Sequence, residues 1–160
     1  MGTWAEVTVF TFKEGALSAL AHDLKIHVTR VELQLGADAV SATFDPTSLR
    51  VVCPRKDGRD NPGALPSLLY GEIEKNIVND VLEAAKFPRL TFESTQLSQS
   101  EVVGNLTLHG VTRLIRCTRA AGGLVEARID QRDFGITPYR AMLGTLKVKP
   151  EVVVTVRLAS

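Results

Sequence analysis

Apolar side chains recur at every second position along most of this chain, and that alternation commits it to strands rather than helices. Near the start, Val7, Val9 and Thr11 alternate with Glu6, Thr8, Phe10 and Phe12, predicting a strand over residues 4–12. Lys13-Glu14-Gly15 then reads as a turn. Leu24, Ile26 and Val28 share one face, but Val31, Leu33 and Leu35 resume out of phase. A one-residue slip turns every side chain to the other face, so a bulge is expected near Thr29-Arg30. A further strand covers residues 40–44 and ends at Asp45-Pro46-Thr47.

The stretch from Cys53 to Pro66, with Pro54, Pro62 and Pro66, reads as irregular chain crossing an end of the fold. One helix follows, over residues 67–86. There Ile73, Ile77 and Val81 recur every fourth residue, opposite Glu72, Lys75, Asn79 and Glu83. Phe87-Pro88 is its stop, because a residue before proline is pushed out of the helical region. Strands return over 90–97, 102–109, 113–119 and 124–130, the last two joined by Ala121-Gly122-Gly123 as a hairpin. The final strand, 146–158, places Val148, Val152, Val154, Val156 and Leu158 in one phase and requires Pro150 to sit at an edge or bulge. The fold class is therefore mainly β, an antiparallel barrel of about eight strands with one amphipathic helix. A β-sandwich satisfies the same periodicity.

The 160 residues suit a single domain, 1–160, able to bury roughly 70% of its unfolded surface. A net charge of +1, from 19 basic and 18 acidic residues, gives no general pull towards nucleic acid or anionic membrane. Arg113, Arg116 and Arg119, at spacing three, split between strand faces, and Arg55-Lys56 is offset by Asp57 and Asp60. No apolar run is long enough to span a bilayer. Cys53 and Cys117 read as buried thiols of a reducing compartment. The opening residues show no basic stretch followed by an apolar run, so the expectation is a cytoplasmic protein without a secretory signal.

Catalytic machinery is scarce. The three histidines are His22, His27 and His109, and there is no G-x-S-x-G elbow, no C-x-x-C pair and no phosphate-cradling glycine loop. His22-Asp23 resembles half of a metal dyad but lacks further ligands on other helices; a hydrogen-bonded histidine near a barrel end is the default, and no metal or other cofactor is expected. His27, between Ile26 and Val28, is expected to face solvent.

Three motifs stand in order in the second half: Phe87-Pro88-Arg89-Leu90-Thr91-Phe92-Glu93-Ser94, then Gly104-Asn105-Leu106-Thr107-Leu108-His109-Gly110-Val111-Thr112, then Arg132-Asp133-Phe134-Gly135-Ile136. Together they resemble the signature of the YceI-like family, polyisoprenoid-binding relatives of lipocalins. Ala21-His22-Asp23-Leu24 fills the place of a histidine common in that family. The family's run of Arg-Asp-x-His-Leu before its helix is missing, and Lys75-Asn76-Ile77-Val78-Asn79-Asp80-Val81-Leu82 occupies the corresponding stretch.

The resemblance implies an extended lipocalin-like barrel with a helix packed on it and an elongated apolar cavity for a long isoprenoid tail. On that basis Phe92, Leu106, Leu108, Ile115 and Val154 are candidate wall residues, Phe134 lies near a closing loop, and His22 joins them as a candidate ligand contact. Strand phase leaves open whether Leu106 and Leu108 or Thr107 and His109 face inward. Facing inward, His109 would hydrogen-bond a quinone carbonyl or hydroxyl; otherwise it tethers the Gly110-Val111-Thr112 turn through a backbone carbonyl. The expected function is non-catalytic binding, carriage or sequestration of a long-chain isoprenoid, quinone precursor or fatty acid, with no nucleic-acid partner and a homodimer left open. Two alternatives remain: a lipid-processing enzyme using a cavity histidine, and a solid barrel serving as an interaction module.

Overall fold

A computed structural model describes residues 4–14, 22–141 and 146–159. These form strands β1 (Trp4–Thr11), β2 (Asp23–Val28), β3 (Val31–Leu35), β4 (Val40–Phe44), β5 (Leu49–Lys56) and β6 (Arg59–Asp60) before the helix. After it come β7 (Leu90–Leu97), β8 (Glu101–Leu108), β9 (Val111–Ala120), β10 (Leu124–Asp130), β11 (Arg140–Ala141), β12 (Leu146–Lys147) and β13 (Glu151–Ala159). Eleven strands make one sheet in the order β3-β4-β7-β8-β9-β10-β13-β1-β2-β5-β6, and β11 pairs with β12. Every pairing is antiparallel.

The sheet curls shut through the chain itself. β2 lies deep in the strand order, whereas β3 stands at the far edge, and only Thr29 and Arg30 separate them. The out-of-phase slip thus marks a corner where the strand exchanges partners, from β1 and β5 to β4. A short 3₁₀ turn, Pro46–Ser48, stitches that corner. Thr29 donates its backbone N–H (3.1 Å) and its hydroxyl (2.9 Å) to the Ser48 carbonyl, and the Ser48 hydroxyl accepts from the Arg30 N–H at 3.0 Å. The Asp45 carboxylate accepts from the Thr47 N–H and hydroxyl, capping the turn and holding the Asp45 pKa below its usual value.

More strands form than the alternation predicts. Leu49–Lys56 is a strand, not part of an irregular crossing, and its Leu49, Val51 and Cys53 are buried at alternate positions. Pro54 conceals it in the sequence; it stands opposite Leu24 near the end of the β2–β5 ladder, beyond a bulge at Val52 where the register shifts between Lys25 and Ile26. The last strand divides in two because Pro150 interrupts it, its carbonyl accepting instead from the Gln131 N–H at 2.9 Å.

The helical segment is also shorter than its hydrophobic stripe. A 3₁₀ turn (Ser67–Leu69) leads into α1 (Tyr70–Asn76), which widens into a π turn over Ile77–Val81. Leu82 N–H reaches the Ile77 carbonyl, Ala84 N–H reaches the Val78 carbonyl, and Glu83 between them turns left-handed at φ 47°. This is a Schellman-like cap, widened by the π turn, and it ends the helix before Phe87-Pro88 is reached.

The core divides in two. Phe92, Val102, Leu106, Cys117, Ile129 and Phe134 centre one cluster, and Ile26, Leu49 and Val51 the other, beneath Ile73 and Ile77 of the helix. Cys53 and Cys117 are both buried and free, and burial pushes the Cys117 thiol up to about 11, which suppresses its reactive thiolate. Against expectation, His27 is half-buried rather than solvated. It lies on the outer side of β2, between Thr8 of β1 and Arg50 of β5, with its Nε2 enclosed.

Candidate functional site

Between the helix and the inner face of the barrel lies a cavity of about 480 Å³, within the size range of small-molecule sites. The alternation creates its walls. Val7 and Val9 of β1, Leu24, Ile26 and Val28 of β2, and Val152 and Val154 of β13 turn inward at every second position. Ile73, Ile77 and Val81, one helical turn apart, supply the roof. From Leu24 to Val28 the lining runs about 13 Å along β2 at about 3.3 Å per residue.

Its two ends differ chemically. Around Val28, Phe44, Pro46, Leu49 and Leu90, at the stitched corner, the lining is wholly apolar. The opposite end gathers Thr11, His22, Asn76, Tyr139 and Lys147. Backbone bonds draw these together: Thr11 pairs with Leu24, Glu14 N–H donates to the Lys147 carbonyl at 3.0 Å, and Val148 N–H donates to the Tyr139 carbonyl at 3.0 Å. The Asn76 amide reaches the Tyr139 hydroxyl at 3.5 Å. Glu72, one turn before Asn76, also lines the cavity. A hydrocarbon chain fits the length of this space, and a polar head fits only one end.

Leu106, Leu108, Val154 and His22 line the cavity, and the phase of β8 is thereby settled in favour of the leucines. Phe92, Ile115, Phe134 and His109 stand outside the lining. Phe92 and Phe134 belong to the core cluster, and Ile115 packs against it. His109 turns away from the cavity and tethers the Gly110-Val111-Thr112 turn through a backbone carbonyl, that of Phe134. Its Nδ1 donates to the Phe134 carbonyl at 3.1 Å, and its Nε2 lies 2.7 Å from Glu83 Oε2. A backbone carbonyl at one ring nitrogen and a carboxylate at the other clasp the imidazole from both sides.

The signature residues therefore build a latch. His109 and Glu83 are both non-glycine residues in the left-handed region, at φ 54° and 47°, and they grip one another. The Phe87 ring stands 4.3 Å from the imidazole, over Gly110, where a Cβ would come within 2.8 Å of that ring. One cluster thus ties the end of the helical segment to the β8–β9 hairpin and to the Gln131–Phe134 turn. Asparagine tolerates the left-handed region, so His109→Asn isolates the side-chain bonds. It is expected to cost about 1–3 kcal/mol and to lower the melting temperature by about 3–10 °C in calorimetry. Glu83→Gly, which relieves the backbone, should cost less than Glu83→Ala. An unchanged melting temperature in His109→Asn would deny the latch any part in stability.

Other candidates resolve into separate contacts. Arg113 donates to the Asp133 carbonyl, Arg119 to the Ser98 carbonyl, and Arg116 faces Glu101 at 3.7 Å, so the three arginines form no stripe. Among the described residues no group of three His, Cys, Asp or Glu side chains is placed to hold a metal ion. No described helix is long and apolar enough to cross a membrane.

The sequence model of the YceI-like domain matches residues 5–160. The chain belongs to the YceI-like family. Solved structures share the YceI fold at low identity. The BcnA protein of Burkholderia cenocepacia is 15% identical with a TM-score of 0.66, over 98% of this chain and 96% of that one. A polyisoprenoid-binding domain from Saccharophagus degradans is 13% identical with a TM-score of 0.60, over 96% and 91%. The YceI protein of Campylobacter jejuni is 14% identical with a TM-score of 0.57, over 84% and 82%. No curated protein sequence matches the chain significantly. The YceI barrel of this chain is lipocalin-like, as its motifs suggest.

Sequence reasoning missed most of the lining. Leu24, Ile26, Val28, Ile73 and Ile77 were visible as inward faces, but a face lining a void and a face filling a core carry the same alternation. Asn76, Tyr139 and Lys147 come from three separate elements, and no sequence spacing joins them.

Proposed function

We propose that this YceI-like protein binds and carries a long-chain isoprenoid or a similar amphiphile, non-catalytically, with the tail in the cavity and the head at the Asn76–Tyr139–Lys147 end. The observation that carries this reading is the cavity of about 480 Å³, lined mostly by aliphatic side chains, with Asn76, Tyr139 and Lys147 gathered at one end. Its structural likeness to a polyisoprenoid-binding domain agrees with it. Burial returns about 0.8 kcal/mol per methylene, so each five-carbon prenyl unit contributes on the order of 3–4 kcal/mol before entropy costs. A few units give tight binding, and selectivity then follows from cavity length and girth, with the polar end fixing the head.

Native mass spectrometry and organic extraction of the purified protein test this. The expected result is one bound amphiphile per chain, or uptake of an added octaprenyl compound or fatty acid, recovered chemically unchanged. Protein that carries nothing and takes up neither compound refutes carriage. Recovery of an altered lipid, lost on His22→Gln, would instead establish catalysis at the cavity histidine.

A further inference from the structure

Residues 62–71, Pro-Gly-Ala-Leu-Pro-Ser-Leu-Leu-Tyr-Gly, hold no charge, in a chain that is 23% charged. Nearly all of this run is exposed: Leu68 keeps 83% of its surface and Leu69 keeps 41%. A single bare leucine is ordinary, but an uncharged, largely exposed run of this length is not. The run is also ordered by its own turns. Asn61 N–H donates to the Pro54 carbonyl, Ala64 N–H to the Asn61 carbonyl, and Leu69 N–H to the Pro66 carbonyl.

Its position gives the exposure meaning. Leu65 and Leu69 of this run line the cavity, together with Glu72 in the next turn. Leu68, their neighbour, faces outward. The apolar surface of the cavity is therefore continuous with an apolar surface outside the protein. Beside it projects the β5–β6 hairpin, whose exposed tip Lys56-Asp57-Gly58-Arg59 carries two cations against one carboxylate. The next carboxylate, Asp60, is already engaged by Lys25 at 3.2 Å and Arg55 at 3.1 Å.

We infer that residues 62–71 dock this protein on an anionic phospholipid surface, with Leu68 and Leu69 entering the acyl boundary and Lys56 and Arg59 meeting the headgroups. The prominence is bordered by the exposed cations Lys56 and Arg59 and by the exposed carboxylates Asp57 and Glu72, and an apolar surface with cations at its rim is the composition of an interfacial anchor. The inference rests on the reading that the cavity takes a lipid tail: docking where cavity and bilayer meet spares the tail a passage through water.

The test is sedimentation with vesicles of phosphatidylcholine and phosphatidylglycerol, using wild-type protein, Leu68→Asp and, as a control, Leu114→Asp, which alters another exposed leucine, on β9 (57% exposed). In parallel, each protein is titrated in solution with a fluorescent fatty acid. Wild type and Leu114→Asp should sediment, Leu68→Asp should partition about tenfold to a hundredfold less, and all three should take up the probe equally. Raised salt should weaken the binding. Failure of wild type to sediment, or equal sedimentation of Leu68→Asp, overturns the docking site. A concentration-dependent dimer abolished by Leu68→Asp, without vesicle binding, overturns it in favour of a second copy of this chain. Sedimentation without probe uptake by any variant leaves docking supported and refutes the carrier reading instead.

Discussion

Val154→Trp is expected to abolish lipid uptake while leaving the melting temperature nearly unchanged. Val154 lines the cavity midway along β13, directly opposite Val9 of β1, which lines it too. Val154 borders the core cluster on one side and the cavity on the other, so an indole directed into the cavity should escape most of the strain of overpacking, about 1–3 kcal/mol in a filled core. The lost volume would fall at the middle of the cavity, where a tail must pass. Fatty-acid titration should show at least about a hundredfold weaker binding, equivalent to the hydrophobic contribution of several displaced methylenes. A melting temperature lowered by about 5 °C or more would show instead that this part of the barrel is filled.

Gly104→Val should do the reverse, removing the fold. Gly104 sits on β8 opposite Ser94, where the β7–β8 register shifts. A Cβ at that position would lie 2.5 Å from Phe92 Cζ and 2.8 Å from Ser94 Cα, and against the Glu93 carbonyl oxygen. Two of these three obstacles are backbone and cannot swing aside. The ring can move only into the core cluster that Phe92 shares with Leu106 and Phe134. A loss of about 3 kcal/mol or more is expected, read as insoluble expression or a much reduced denaturant midpoint. Gly104→Ala should already show part of it. Normal stability in both would mean that β7 and β8 can separate at the bulge without cost.

Much of this architecture was legible in the residues. Val40–Phe44, Leu90–Leu97 and Leu124–Asp130 form as the alternation predicts, and the slip at Thr29-Arg30 falls at the corner. Periodicity was silent where one residue overrides it. Pro54 hid β5, and Glu83, turning left-handed, ended the helical segment ahead of Phe87-Pro88. The site was less legible, for a different reason. Signature motifs draw the eye to His109, Phe92 and Phe134, yet these hold the scaffold together. The cavity's polar end depends on Tyr139 and Lys147, which only the folded chain brings near Asn76.

The pairing of β1 with β13 has a kinetic corollary. Val7 finds its neighbour Val156 only after all the residues between them have been made, so a seam of the cylinder is sealed between the two described strands most distant in sequence. Such long-range closure is slow, on the order of milliseconds to seconds, and until it happens β1 offers a bare edge to any other nascent strand. The cavity is consequently among the last features to mature, and anything that occupies it enters after folding rather than guiding its early steps.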